Sequence, residues 1–252
     1  MPPRLRVVVI NHGLPGPTRD LKGQFSPLAE TLALDSGSTL SEDEQAVFDR
    51  LLPNVYYSGL VNAAVEQCAD LADQDVLFLT CSDVRFDAPD QVLRRAREAF
   101  TGNTVGVWAP ASSGTNFPSI RNAHSGGLRE VAFLDGFCLA ARLAHWRALA
   151  PVDVSVNRLG WGLDIHLAYQ ARRAGQRVTV DDRVQMHHTL GSGYSNEEAW
   201  RQLRRWVKTL DRPARLAHRL LFAERMQHRP WTWLLQKTPP RFWQRLFAWV
   251  TP

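Results

Sequence analysis

Three aspartates stand where apolar runs give way to turns: Asp35, Asp83 and Asp164. A histidine pair, His187 and His188, closes the last apolar run. Carboxylate, imidazole and a substrate phosphate together form a normal environment for Mn2+ or Mg2+. A diphosphate leaving group needs such a cation, because negative charge builds on the departing oxygen. Asp83 ends the stretch DVLFLTCSDV, where the residues suggest that it holds a divalent metal and the metal a diphosphate. Asp164 follows Gly160-Trp161-Gly162 at an expected helix start. A carboxylate there can face a cavity and take a proton from an acceptor hydroxyl, or it can simply cap the helix. Trp161 is either a platform for a sugar ring or a core aromatic. Asp35-Ser36-Gly37-Ser38 can hydrogen-bond a nucleoside, or be a plain turn. The histidines can equally be a polar strand end.

These residues need elements to hold them. Residues 4–10 read as a first strand with Asn11 at its carboxyl end, and residues 28–34 as a second strand running into Asp35. Residues 42–52 read as a surface helix and 55–57 as a third strand. Ser58 would cap a helix over 59–71, with Asn62 near its start. The apolar run Val76 to Leu79 suits a strand buried on both faces. Pro89 marks a helix start. A strand at 105–109 leads to a Ser/Gly/Asn/Pro-rich loop at 111–127, long enough to be a lid. Residues 130–141 return to strand character around Asp135-Gly136. Helices at 143–149 and 163–174 precede a last strand at 177–186. Alternating strands and helices imply an α/β fold with a mostly parallel sheet covered on both faces. In such sheets ligands sit beyond the carboxyl ends of the strands.

The chain has 252 residues, 44% hydrophobic and 22% charged, enough for one large domain or one domain with an appendage. Neither G-x-G-x-x-G nor a Walker loop is present, which argues against dinucleotide and P-loop enzymes. The absent G-x-S-x-G elbow argues against an esterase. Cys68, Cys81 and Cys138 form no C-x-x-C pair. That suits a reduced cytoplasmic protein, as does a start that runs straight into RLRVVVI without a signal-peptide core. Nothing reaches transmembrane length.

Five segments together resemble the nucleotide-sugar-dependent glycosyltransferases of the GT-A fold. The similarity is greatest to the large inverting family that includes bacterial rhamnosyltransferases, and it covers roughly residues 4–195. VVVINHG resembles the family's first strand with its trailing Asn, here Asn11. LDSGS resembles the turn that contacts base and ribose, which implies nucleoside binding by Asp35 and Ser36. VLFLTCSDV resembles the strand leading into the D-x-D metal motif, with Cys81 in place of its first aspartate and Ser82 between. GWGLD resembles the acceptor loop, which implies Asp164 as general base beside Trp161 and Gly162. Leu163 replaces the acidic residue usual before that base. HHTLG resembles the segment whose histidine joins the metal or diphosphate, here His188 ahead of His187. The resemblance implies a three-layer αβα sandwich and Mn2+ or Mg2+ as cofactor. It also implies a nucleoside-diphosphate sugar as donor, bound by Asn11, Asp35, Ser36, Asn62, Cys81, Ser82, Asp83, Trp161 and Gly162. The reaction would be a single displacement that inverts the anomeric carbon.

Charge divides the chain. Residues 1–195 carry a balance of −3 and residues 196–252 one of +8, and six of the nine tryptophans lie in the second part. The expected organisation is a catalytic domain over 1–195 and a basic helical tail over 196–252. Trp200, Leu203, Trp206, Val207 and Leu210 fall at helical spacing with arginines between them, and residues 241–250 repeat that chemistry. Such helices suit an anionic membrane surface, or they pack on their own domain. A peripheral protein on the inner face of the membrane, acting on a lipid-linked or surface saccharide, is the leading expectation. The same chemistry on a modified base in DNA is a rival. A non-catalytic sugar-nucleotide binder is another, motivated by Cys81 and Leu163.

Overall fold

The computed structural model describes residues 2–115, 117–188 and 193–225. In chain order the first half comprises β1 (Leu5–Asn11), α1 (Pro15–Phe25), β2 (Glu30–Ser36), α2 (Glu42–Gln45), β3 (Arg50–Leu52), α3 (Tyr56–Glu66), β4 (Val76–Cys81), β5 (Val84–Phe86) and α4 (Pro89–Phe100). Then come β6 (Val105–Ser112), β7 (Leu128–Glu130), β8 (Cys138–Arg142), α5 (Leu143–Leu149), α6 (Val154–Asn157), α7 (Leu163–Arg173), β9 (Arg177–His188), α8 (Asn196–Thr209) and α9 (Arg212–Arg225).

The strands form one sheet in the order β3-β2-β1-β4-β8-β6-β9-β5, with β7 also on β9. The β3-β2-β1-β4 half is wholly parallel, as is β6 with β9. β8 runs antiparallel between β4 and β6, and β5 and β7 run antiparallel to β9. Successive side chains of a strand face opposite sides, so a strand apolar throughout must be covered twice. Val7 and Val9 of β1 and Phe78 of β4 pack with Phe25 of α1 and Leu93 of α4. Val8, Ile10, Leu77 and Leu79 pack on the other side with α3, α5 and α7. The result is the αβα sandwich expected from the alternation of elements, with C-terminal helices added.

Several expected elements take other forms. Of residues 42–52 only Glu42–Gln45 is helical, closed by a Ser41–Glu44 capping box, and Arg50–Leu52 joins β2 as an edge strand. Residues 55–57 are the start of α3 rather than a strand. The Ser36 hydroxyl accepts from the amides of Val55 (2.9 Å) and Tyr56 (3.0 Å), so the cap comes from a residue distant in sequence. Ser58 instead donates to the Asn157 carbonyl at 2.5 Å. Of residues 130–141 only Glu130, the end of β7, and residues 138–141 of β8 are strand, and residues 131–137 link the two without regular structure.

α8 buries Ala199, Leu203 and Trp206, and α9 buries Ala214 and Ala217, in the same core as α7. Residues 241–250 lie outside the described residues. No helix among the described residues is long and apolar enough to cross a membrane. His166 of α7 and His218 of α9 meet with ring centroids 5.9 Å apart, edge-on to Trp206. His166 Nδ1 and His218 Nε2 find no hydrogen-bond partner among the described residues. Burial pushes His166 down to about 4 and His218 to about 3. Below an ordinary pKa of about 6.5 the unfolded chain therefore binds protons that the fold refuses. Stability is complete above that pH and falls as pH drops toward 4. Urea denaturation is expected to show a loss of about 2 kcal/mol per histidine between pH 7 and pH 5. A His218→Phe variant should lose part of that dependence; an unchanged slope would show that the pair does not drive it.

Candidate active site

β4 ends at Cys81, Ser82 and Asp83 form the turn, and β5 then pairs with β9 in a register that sets Val84 opposite His188. That register carries Asp83 to the end of β9, where its Oδ2 lies 3.2 Å from His188 Nε2. The His188 ring stacks on Phe137, with centroids 4.0 Å apart and planes 3° from parallel. Its Nδ1 lies 3.2 Å from the Gly114 carbonyl, which can only accept, so Nδ1 carries a proton. Nε2 then faces a carboxylate across a gap that only a cation, a proton or a metal, can bridge. Burial alone would lower the His188 pKa, but the hydrogen bond and charge of Asp83 outweigh it and the pKa is raised. Gly114 is required here: a Cβ would stand 1.7 Å from the His188 carbonyl oxygen.

Asp83 Oδ1 is buried and has no hydrogen-bond partner among the described residues. An orphaned carboxylate oxygen is costly unless something is meant to meet it. The arrangement also matches a feature of metal-ligating histidines, whose second ring nitrogen donates to a carbonyl. No three His, Cys, Asp or Glu side chains converge as a metal site among the described residues. Asp83 and His188 thus fit a hard cation that takes one or two protein ligands and completes its shell with phosphate and water. His187, adjacent in sequence, faces the other side of β9. It bonds Asp87 (2.9 Å) and Ser113 (2.8 Å) and is not part of this group. Cys81 stays a neutral thiol, since burial, then Asp83, Cys138 and Asp135, raise its pKa well above the ordinary value.

At the neighbouring strand ends, Asn11 donates to Asp35 (2.7 Å) and accepts from Ser82 (2.9 Å). Asp35 also accepts from the Ser38 hydroxyl (2.5 Å) and amide (2.9 Å). The Asn11–Asp35–Ser82 link joins the ends of β1 and β2 to the turn that carries Asp83. Ser36 is occupied in capping α3. The Asn62 amide holds both backbone groups of Val152, at 2.9 and 2.8 Å, and makes no bond to the Asp83 group.

Opposite Asp83, Tyr57 of α3 donates to the Gly136 carbonyl at 2.5 Å. Burial above all, with the carboxylates of Asp164 and Asp135 adding to it, raises its pKa well above the ordinary value, so it remains a phenol. Asp164 lies in the first turn of α7, its Oδ1 accepting from the Ile165 amide at 2.8 Å. Its Cβ is 4.0 Å from where a Gly136 Cβ would stand. Asp135 accepts from Thr115 at 3.1 Å, and its charge is felt by Tyr57, Cys81 and His188. Asp135 therefore sits between the two halves of the site. In the sequence Asp135-Gly136 stands only as a pair within an expected strand. Its position where apolar runs meet a turn was the same signal that singled out Asp83.

The loop before Asp164 is clamped from both sides. Gly160 has φ +73°, and a Cβ there would stand 2.2 Å from the Tyr57 ring. Gly162 has φ +90°, and a Cβ there would meet Leu203 of α8 at 2.5 Å. Trp161 donates to the Tyr194 hydroxyl at 2.9 Å, and its ring is edge-on to Trp200 of α8 at 5.3 Å. The tail helices thus form the seat of the Asp164 loop. Gly160→Ala is expected to cost about 2–4 kcal/mol from the left-handed backbone and overpacking. Thermal unfolding checks this, and an unshifted midpoint would mean that Tyr57 simply moves aside. Residues 111–127, expected as a lid, begin inside β6 and are held at their far end. Asp182 accepts from Ser125 (2.7 Å) and pairs with Arg129 (3.0 Å).

No protein-family model matches the sequence, and no curated protein matches it. Solved structures do. A mannosyltransferase from Pyrobaculum calidifontis, in complex with GDP-Man and Mn2+, superposes with a TM-score of 0.61 at 14% identity, over 99% of this chain and 85% of that one. GalNAc-T7 with UDP, GalNAc and Mn2+ gives 0.59 at 11% identity, over 97% of this chain and 54% of that one. Glucosyl-3-phosphoglycerate synthase from Mycobacterium tuberculosis, with Mn2+, UDP and phosphoglyceric acid, gives 0.53 at 12% identity, over 90% and 80%. At these identities the likeness is one of fold: the chain has the fold of the GT-A glycosyltransferases.

Proposed function

We propose that the protein transfers a sugar from a nucleoside-diphosphate sugar to an acceptor hydroxyl, with the reaction in the cleft between Asp83 and Asp164. The observation that carries this reading is the Asp83–His188 pair with its orphaned Oδ1 at the carboxyl end of β4. The fold is also shared with transferases solved with GDP-Man or UDP and Mn2+.

Asp83 and His188 would hold Mn2+ or Mg2+, which when bound neutralises the charge that develops on the departing diphosphate. The Gly114 carbonyl and the Phe137 ring keep His188 aimed at Asp83. The Asn11–Asp35–Ser82 network stiffens the wall against which the nucleoside lies. Asp164, fixed by the Ile165 amide and the Gly160–Gly162 turn, takes the proton of the acceptor hydroxyl at a carboxylate oxygen. The freed oxygen attacks the anomeric carbon from the side opposite the diphosphate, inverting it. Tyr57 stays protonated and donates to Gly136, which keeps Asp135 and Asp164 at their stations. A saccharide, free or lipid-linked, is the acceptor class this reading favours, in the manner of the rhamnosyltransferase-like family.

The test is a panel of UDP-, GDP- and dTDP-sugars with Mn2+, read as release of nucleoside diphosphate. Thermal shifts with the diphosphates alone accompany it. At least one donor should be cleaved. Stabilisation without cleavage would favour a sugar-nucleotide binder, and no stabilisation by any nucleotide would overturn the reading.

A further inference from the structure

The outward face of α8 plays no part in the chemistry above, yet it sets four basic side chains close together. Glu197, Trp200, Arg201, Arg204, Arg205 and Lys208 recur at three- and four-residue spacing and line an open groove of about 710 Å³. Arg201 is engaged by Glu197 (3.8 Å) and Glu198 (3.2 Å). Arg204, Arg205 and Lys208 are exposed and make no ion pair among the described residues. Three unpaired cations side by side repel one another, and a bound anion removes that penalty.

The groove adjoins the loop that carries Asp164. Trp200 lines it, and the same indole is edge-on to Trp161, three residues before Asp164. A ligand held by the arginines would therefore lie beside that loop. Ala199, Leu203 and Trp206 of α8 point into the core, and Trp200 and Val207 are partly buried against it. A helix that lies in a membrane interface needs an outward apolar face, and α8 offers charge instead. A volume of this size is that of a small-ligand site.

We infer that this groove receives the phosphate or diphosphate group of an anionic acceptor, whose hydroxyl then lies toward Asp164. The inference rests on reading the cleft as a glycosyl-transfer site, and it names the acceptor class: a substrate that already carries phosphate. Arg204 and Arg205 supply forked donors matched to phosphate oxygens, and Lys208 a point charge.

Inorganic pyrophosphate is the probe, titrated in metal-free buffer against the full chain and against an Arg204→Gln/Arg205→Gln/Lys208→Gln variant, with tryptophan fluorescence as readout. All three side chains are exposed, so the variant should fold with an unchanged melting temperature. The expected result is saturable binding that weakens with salt and falls about tenfold or more in the variant, while UDP or GDP binding with Mn2+ stays the same. Equal binding by the two proteins, or no saturable binding, overturns the assignment. So does tighter binding of phosphatidylglycerol vesicles or duplex DNA than of pyrophosphate, lost in the same variant. The nucleotide arm tests the catalytic reading by itself. If the parent protein binds none of UDP, GDP and dTDP, that reading and the acceptor assignment fall together, whereas a null result confined to pyrophosphate removes only the groove.

Discussion

Asp164→Asn is expected to reduce sugar transfer by about 100- to 10,000-fold while leaving donor binding intact. The substitution keeps shape and keeps an oxygen for the Ile165 amide, which Asp164 Oδ1 accepts at 2.8 Å. The start of α7 should survive, and with it the Gly160–Gly162 turn. What disappears is the ability to take a proton. The loss should appear in kcat rather than in affinity for the nucleotide, because Asp83 and His188 are untouched. Affinity for UDP or GDP with Mn2+, measured beside turnover, separates the two. Transfer at the parental rate would take the base role from Asp164. Asp135 would then be the next carboxylate to test, since it too acts on the Tyr57 hydroxyl.

Asp83→Asn is expected to have the largest effect on donor binding. The aspartate meets His188 at 3.2 Å through one oxygen and leaves the other buried without a partner among the described residues. Removing its charge leaves His188 as the only charged or metal-competent member of the pair. The Mn2+-dependent part of nucleotide affinity should drop by about 100-fold or more, since ligand loss exceeds the 10–100-fold typical of outer-shell changes. Binding without Mn2+ should hardly change. Titration calorimetry of UDP and GDP with and without Mn2+ reads the difference. If Mn2+ enhances nucleotide binding equally in parent and variant, the cation sits elsewhere and the site has been misassigned. Fold stability is expected to change little at neutral pH, so a collapsed variant would also count against a purely binding role.

Part of the architecture was legible because local chemistry declares it. Pro89 opens α4, as a proline at a first helical turn should. The unbroken apolar run of β4 announced burial on both faces, and the turn after it placed Asp83 at a carboxyl end. Gly160 and Gly162 announced a tight turn, and both do take positive φ. The helical spacing of Trp200, Leu203 and Trp206 revealed α8 and which of its faces is buried. Residues 42–57 depart from the expected helix and strand because Arg50–Leu52 pairs with β2 instead of extending a helix. The apparent strand at 55–57 was converted to a helix start by a serine on another strand.

The sequence by itself determined the periodicities, the turns and the strand ends where polar groups must emerge, since these depend on neighbours within a few residues. It therefore marked Asp35, Asp83, Asp164 and the two histidines as candidates. Only the tertiary structure decided which of them meet. The β5–β9 register selects His188 over His187, because adjacent residues on a strand face opposite sides and a shift of one would exchange them. Asp135, Tyr57 and Gly114 enter the site from separate elements, brought there by burial of the whole sheet rather than by any local pattern. The tail divides in the same way. Its charge was plain in the sequence, but the contact of Leu203 with the turn before Asp164 exists only once α8 has packed, because the close approach that needs Gly162 is made by residues about forty positions apart.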